Sequence, residues 1–325
     1  NALYIVNART GALIWSASSA TGHSAQLAKM NYSIPSTVRV IDIQQNNGVL
    51  SSDPDQLADQ IFFGDMGGQI WRLFINNGST GADLISPGGT NGDGVFASLG
   101  GTDTASARRF YHEPDVSMAL KAGVRNLSIN IGSGYRGHPL NKFISDRFYS
   151  LRTTLLTRPA GGGTVNEGTL LESNLYNATS NQVQSSTNAT RISAQTALAA
   201  AKGWYITLAG TGEKVLSRAL TVGGEIFVNT YEPSTVAGQC KASVGINRSY
   251  AMRLEDASPI TTEAGSNGTY ANRFTTSNSQ GIAGDPQLFC QGNNCLVLRD
   301  PSLPPLKAKV PPLGVLYWSD SLNTN

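Results

Sequence analysis

Apolar and polar residues alternate in short stretches of this chain, and turn-forming residues separate the stretches. Alternation with a period of two is typical of β-strands that bury one face. The stretches that alternate in this way cover residues 3–15, 60–74, 127–151, 203–230 and 249–257. Gly67-Gly68 and Gly223-Gly224 stand between apolar runs, where glycine provides the positive φ angles of a tight hairpin. The pattern predicts an all-β fold made of repeated hairpin units.

Two segments depart from this pattern. Residues 189–202 include RISAQTALAAAK, which is rich in strong helix formers and is followed by Gly203, so we expect a helix there. This helix ends a polar segment, 161–202, which we interpret as an insertion between units of a domain covering residues 1–300. Residues 301–325 contain PSLPPLKAKVPPLG, too rich in proline for a central strand, and are predicted to form an extended tail.

Composition narrows the possible functions. Charged residues make up 14% of the 325 residues, below the roughly 25% usual for globular domains. The formal net charge is +2 and the basic residues are scattered, which argues against a nucleic-acid partner. The chain has no run of about 18 apolar residues, so no helical membrane span is predicted.

The three cysteines suggest an oxidising compartment. Cys290 and Cys295 flank Gly292, Asn293 and Asn294, and two strands joined by that turn would bring the thiols close enough for a disulfide. The alternatives are two reduced thiols or half of a zinc site, although the histidines needed for zinc are distant in sequence. Cys240 is left without an assigned partner.

An acidic loop precedes the hairpin of residues 60–74. Ser51, Asp53, Asp55 and Asp59 place side-chain oxygens at alternate positions, with the Leu57 carbonyl between the last two. This spacing is similar to the first nine positions of a calcium loop. Three aspartates so close together repel one another, and a divalent cation would remove that repulsion.

Other features of this loop weaken the calcium interpretation. Ser51 stands where a carboxylate is expected, Pro54 precedes Asp55, and Gln56 occupies a position that usually favours glycine. The alternative is a solvated acidic turn between strands.

Little in the sequence indicates catalysis. A Ser-His-Asp triad can assemble from distant segments, but no nucleophile-elbow pattern is present. His112 is interpreted as a polar residue at a strand end, and His138 as part of a structural turn beside Tyr135 and Arg136. Glu113 and Asp115 lie two residues apart without an evident acid–base partner. We therefore predict a protein that is not an enzyme.

These segments together resemble a known family. LYIVNARTGALIW is similar to a PQQ-type propeller repeat. DQIFFGDMGGQIWRLF, IGSGYRGHPL and EKVLSRALTVGGEIFVNTYEPS resemble the C-terminal β-propeller domain of PilY-type (PilC/PilY) proteins of bacterial type IV pili. The resemblance covers residues 1 to about 260.

The resemblance implies a modified, PQQ-like propeller, of which this chain forms an incomplete portion of seven blades, completed by an upstream segment of the same protein. It implies an extracellular bacterial protein at the pilus tip or outer membrane that supports pilus assembly, controls retraction and mediates adhesion. Its expected partners are minor pilins of the tip complex and a host-cell or abiotic surface. It also implies Ca2+ bound by Ser51, Asp53, Asp55, Leu57 and Asp59, with metal occupancy switching between extension and retraction.

Two other functions are compatible with repeated hairpins. A PQQ-dependent quinoprotein dehydrogenase would share the opening repeat, but many such enzymes carry adjacent cysteines, which this chain lacks. A secreted propeller lectin or matrix-binding scaffold would need an aromatic-plus-carboxylate pocket recurring in each blade, and no such recurrence is evident.

Overall fold

The computed structural model describes residues 1–43, 45–46, 49–50, 57–121, 123–159, 164–234, 244–260, 273–291 and 294–309. Strands dominate this part of the chain, and one α-helix, α1 (Asn188–Ala200), is present in it. The prediction of a mainly β chain with a helix near 189–202 is therefore confirmed. No helix among the described residues has the length and apolar character needed to cross a membrane.

Within the described residues, the strands form five sheets of three or more strands, which we number in chain order. Sheet 1 contains β1 (Ala2–Val6), β2 (Leu13–Ser18) and β3 (Ala25–Gln26). Sheet 2 contains β4 (Arg39–Ile41), β7 (Gln60–Gly64), β8 (Gln69–Ile75), β9 (Ile85–Pro87), β10 (Val95–Ser98) and β14 (Leu170–Leu171). A separate hairpin, β5 (Gln45–Asn46) and β6 (Val49–Leu50), lies between β4 and β7 in sequence.

The remaining strands belong to three further sheets. Sheet 3 contains β11 (Asp115–Lys121), β12 (Val124–Gly132), β13 (Arg147–Thr153), β15 (Tyr176–Asn177) and β16 (Gly203–Thr207). Sheet 4 contains β17 (Lys214–Val215), β18 (Leu220–Val222), β19 (Glu225–Glu232), β20 (Ile246–Arg253) and β21 (Phe274–Ser277). Sheet 5 contains β22 (Gln287–Gln291), β23 (Asn294–Leu298) and β24 (Leu306–Lys307). Short 3-10 helices cover Gly81–Leu84, Thr90–Gly92, Glu172–Asn174 and Gln182–Gln184.

Most neighbouring strands are antiparallel and follow one another along the chain. The boundaries between sheets differ from the sequence interpretation in one respect. The segment 161–202 was interpreted as an insertion between units, but β13 and β16 on either side of it pair directly within sheet 3. The described part of this segment adds β14 to sheet 2 and β15 to sheet 3 as parallel edge strands. The segment therefore lies between two paired strands of sheet 3, and it contributes a strand both to that sheet and to sheet 2.

Hydrophobic clusters join each sheet to the next. Trp15 of sheet 1 packs in one cluster with Phe63 and Trp71 of sheet 2. Phe62, between Ile61 and Phe63 on β7, points the opposite way and joins a second cluster with Ile129 of sheet 3. Successive side chains of a strand point to opposite faces, so one strand can serve both clusters.

The same arrangement continues through the second half of the chain. Phe148 of sheet 3 clusters with Ile226 of sheet 4, together with Leu198 of α1. Phe227, the residue after Ile226, clusters with Val297 of sheet 5. Sheets 2, 3 and 4 thus bury both faces, whereas no core cluster among the described residues joins sheet 5 to sheet 1.

The predicted disulfide is present. Cys290 and Cys295 are directly opposite each other in the β22–β23 hairpin, with a Cα–Cα distance of 4.0 Å. Cys240 lies outside the described residues, so its partner stays unassigned. Of the predicted tail, residues 301–309 are described, and they include β24, an edge strand of sheet 5.

Candidate functional site

The predicted metal loop connects β4 to β7, two antiparallel neighbours in sheet 2. Ser51, Asp53 and Asp55 lie outside the described residues, whereas Leu57 and Asp59 lie within them. Leu57 is exposed, and Asp59 immediately precedes β7. The two described positions thus lie at the end of the loop where the chain enters the sheet.

Asp59 attaches this end of the loop to the sheet. Its amide donates to the Ile41 carbonyl at 2.9 Å, and its carbonyl accepts from the Ile75 amide at 2.7 Å. Its Oδ2 accepts from the Ile43 amide at 2.6 Å, which ties the two ends of the loop together. A carboxylate has about four lone-pair sites, so this bond is compatible with coordination of a cation.

The ligand types predicted for this loop suit Ca2+, because calcium prefers oxygen ligands such as carboxylates, hydroxyls and backbone carbonyls. Among the described residues, no three His, Cys, Asp or Glu side chains cluster in a way that could hold a metal. Any calcium site at this loop therefore depends on the carboxylates of Asp53 and Asp55.

The hairpin that follows the loop is held by one buried carboxylate. Asp65 Oδ1 accepts from the amides of Gly67 (2.8 Å) and Gln69 (2.9 Å), and Oδ2 accepts from the Trp71 indole at 2.9 Å. Burial raises the pKa of Asp65, and these hydrogen bonds act in the opposite direction. Asp65 is therefore the residue that shapes the turn. The sequence analysis missed this role, although Asp often forms turns by bonding the backbone amide two residues on.

The two glycines of this turn serve different purposes. Gly68 has the positive φ angle that was predicted, at 79°. Gly67 does not, but a Cβ there would lie 2.1 Å from the Tyr32 ring. Close packing of Tyr32 therefore explains Gly67, and backbone conformation explains Gly68.

A charged cavity lies where edge strands of four sheets meet. It is lined by Arg39 from β4, Glu113 and Asp115 at β11, Arg218 ahead of β18, and Asp285 ahead of β22. Arg218 Nη1 bonds Glu113 Oε1 at 3.2 Å, and Arg218 Nε bonds Asp285 Oδ2 at 2.8 Å. Sequence spacing related only Glu113 and Asp115, because the other members of this cluster are far apart in the chain.

The carboxylates of this cavity differ in their surroundings. Asp115 faces Arg39 across a long distance of 3.8 Å, and its buried Oδ2 has no hydrogen-bond partner. Burial raises the pKa of the Asp115 carboxyl. Burial acts in the same direction on Asp285, but hydrogen bonds from the Arg218 amide and guanidinium outweigh it and lower the pKa of Asp285.

The histidines have structural contacts. Arg136 Nη1 lies 3.4 Å from His112 Nε2, and burial lowers the pKa of His112. His138 packs on Tyr135 with ring centroids 4.8 Å apart, in the turn predicted from GSGYRGHPL. His23 Nδ1 lies 3.1 Å from Ser16 Oγ, but the ion pairs and hydrogen bonds of the described residues place no carboxylate at His23. No complete triad is therefore formed by the described histidines.

Comparison with known proteins identifies a similar fold. No protein-family model and no curated protein matches the chain. The crystal structure of the Pseudomonas aeruginosa PilY1 C-terminal domain matches with a TM-score of 0.58 and 17% sequence identity, over 94% of this chain and 65% of that chain. The resemblance to the PilY-type C-terminal domain is thus confirmed at the level of the fold, and the chain spans 65% of the solved domain.

Proposed function

We propose that this chain is part of a type IV pilus-associated, extracellular bacterial protein that acts in pilus assembly, retraction control and adhesion and is not an enzyme. The observation that carries the proposal is the shared fold, which covers 94% of the chain. The sequence resemblance supports it independently, since DQIFFGDMGGQIWRLF forms the β7–β8 hairpin. Minor pilins and a host or abiotic surface are the proposed partners.

We further propose that the sheets are blades of a modified, PQQ-like β-propeller. Two observations support this architecture: consecutive sheets pack face to face, and edge strands of four of them line one cavity. Both are expected when blades are arranged around a common axis. The outer faces of sheets 1 and 5, which expose Tyr4, Leu13, Phe289 and Leu296, would then contact further blades from an upstream segment.

The proposed ligand of the acidic loop is Ca2+, bound by Ser51, Asp53, Asp55, the Leu57 carbonyl and Asp59. Asp59 supports the proposal because its position is fixed by bonds to β4 and β8, which lowers the ordering cost of a site that includes it. When bound, the ion would neutralise the adjacent aspartates and order the loop.

Calcium titration of the 325-residue chain tests the metal site. We expect saturable binding heat and a higher melting temperature, with a stabilisation of about 2.7 kcal/mol when free Ca2+ is about 100 times Kd. The double variant Asp55→Ala, Asp59→Ala should lose both effects. Asp83→Ala, which removes an exposed aspartate elsewhere, is the matched control. Equal binding by the double variant would refute the assignment.

The pilus role is tested separately in a bacterium that normally forms type IV pili and from which its own PilY-type protein has been deleted. The full-length protein containing this domain should restore surface pili, and Asp55→Ala with Asp59→Ala should change pilus number or twitching while the protein is still exported. Unchanged piliation with and without the full-length protein would contradict the role.

A further inference from the structure

A second and larger cavity, of about 540 Å3, lies beside sheet 2. Two groups of residues line it: the first wall comes from the 3-10 helix Gly81–Leu84 and β9, and the second from Asn91, Arg158 and Thr164. The second wall is braced by bonds from the Asn91 amide to Asn166 Oδ1 (3.2 Å) and between the Thr90 and Thr169 hydroxyls (2.9 Å). The cavity is therefore bounded by segments that are tied together.

Arg158 is the unusual member of this lining. Other arginines that are buried here have acceptors: Arg72 pairs with Glu167 at 2.5 Å, and Arg273 donates to the carbonyls of Ala257, Thr179 and Ala178. Within the described residues, no ion pair or hydrogen bond is made by the Arg158 guanidinium, and its Nε is buried without an acceptor. A half-buried guanidinium whose Nε has no acceptor lacks a favourable bond that an anion in the adjacent cavity could supply.

The remaining lining is rich in neutral polar groups. Asn76, Ser79, Ser86 and Asn91 supply amides and hydroxyls, and Asn76 Oδ1 is a buried acceptor without a donor. Groups of this kind pair with hydroxyls, which both donate and accept. The volume falls in the range of small-molecule sites, roughly 300–1,000 Å3, and exceeds what a simple inorganic anion would fill.

We propose that this cavity binds a carboxylate-bearing sugar of the uronic-acid class. The carboxylate pairs with the Arg158 guanidinium, and the sugar hydroxyls bond to the amide and hydroxyl groups of the two walls. Asp83, at the same cavity, disfavours ligands with several negative charges. The inference depends only on the described pocket, so it and the pilus role can fail independently.

Titration of the 325-residue chain with glucuronate, followed by calorimetry and by amide chemical shifts, tests this inference. We expect saturable binding, shift changes centred on Ser79 and Asn91, and binding at least about tenfold weaker for glucose and for acetate, because each lacks one half of the recognition. Acetate binding as tight as glucuronate would reveal a site for simple anions and overturn the proposal, as would no binding up to about 50 mM.

Variants identify the group responsible. Arg158→Gln should weaken glucuronate binding at least about tenfold, Arg158→Lys should have an intermediate effect, and Arg9→Gln, at an exposed arginine of the first hairpin, should have none. Unchanged binding by Arg158→Gln contradicts the assignment. If Arg158→Gln does not fold, the Arg158→Lys titration and the shift map of the unmodified chain decide the question.

Discussion

Sheets 3 and 5 are built from similar strands but differ in what covers them. On β13 of sheet 3, the five residues from Phe148 to Arg152 are all buried, and they contribute to clusters on both faces. On β22 and β23 of sheet 5, burial alternates strictly: Cys295 and Val297 are buried, whereas Leu296 and Leu298 are exposed. Sheet 3 is enclosed between neighbours, and sheet 5 packs through one face.

The difference shows how this fold gains stability. A strand buried on both faces carries apolar residues at successive positions, whereas a strand buried on one face alternates. The alternating strands of sheet 5 nevertheless place large apolar residues, Phe289, Leu296 and Leu298, on their outer face. An apolar outer face is expected if, as proposed above, a further blade packs against sheet 5.

The largest expected effect on stability comes from removing a phenylalanine from an enclosed sheet, compared with removing one from the outer face of sheet 5. Phe62→Ala removes a fully buried ring that contacts Phe96 edge-on and lies below the Arg72 guanidinium. It should lower the free energy of unfolding by about 3–5 kcal/mol. Phe289→Ala removes a ring that is 58% exposed and should change it by less than about 0.5 kcal/mol. Urea unfolding measures both, and similar losses would mean that the outer face of sheet 5 is covered in the isolated chain.

Local features of this fold could be predicted from sequence. The 60–74 hairpin has apolar runs on both sides of Gly67-Gly68, and the helix has a run of strong helix formers before Gly203. The cysteine pair shared one hairpin, so its register was implied by its spacing. Each of these signals lies within about fifteen residues, where periodicity and turn chemistry are informative.

Features that depend on distant segments could not be predicted. The sequence pattern places residues 203–230 in one unit, whereas β16 pairs within sheet 3 and β18 pairs within sheet 4. Local alternation predicts strands but does not predict which strands pair. β14 and β15 are two residues long and carry no periodicity. The charged cavity joins positions 39, 113, 115, 218 and 285, of which local spacing relates only 113 and 115. The candidate metal loop stays a prediction, and the bond from the Ile43 amide to Asp59 Oδ2 could not be predicted from the sequence.

A second prediction sharpens the comparison at the hairpins. The β7–β8 hairpin is held by Asp65 and by burial, whereas the β22–β23 hairpin has a covalent link. Replacing both Cys290 and Cys295 by Ser should lower the free energy of unfolding by about 2 kcal/mol, because the disulfide closes a short loop. Thermal unfolding of this variant, compared with the unmodified chain in reductant, measures the effect. An unchanged melting temperature would show that packing against sheet 4 suffices.

The smallest effect concerns pH and two carboxylates of the charged cavity, Asp115 of sheet 3 and Asp285 next to sheet 5. Burial raises the pKa of Asp115, so the folded state binds its proton more tightly than the unfolded chain, and stability falls as pH rises above about 4. Asp115→Asn should reduce that fall.

Asp285 should show the opposite dependence. Its pKa is lowered in the folded state by bonds from Arg218 that outweigh burial, so its contribution is present above about pH 4 and is lost as pH falls through the lowered pKa. Asp285→Asn should remove less than about 1 kcal/mol near neutral pH, because Arg218 is half exposed. Urea midpoints from pH 2.5 to about 7 separate the two variants. If the stability contributions of Asp115 and Asp285 change with pH in the same direction, the two carboxylates share one environment. The difference between the enclosed sheet 3 and the open sheet 5 would then not apply to these charges.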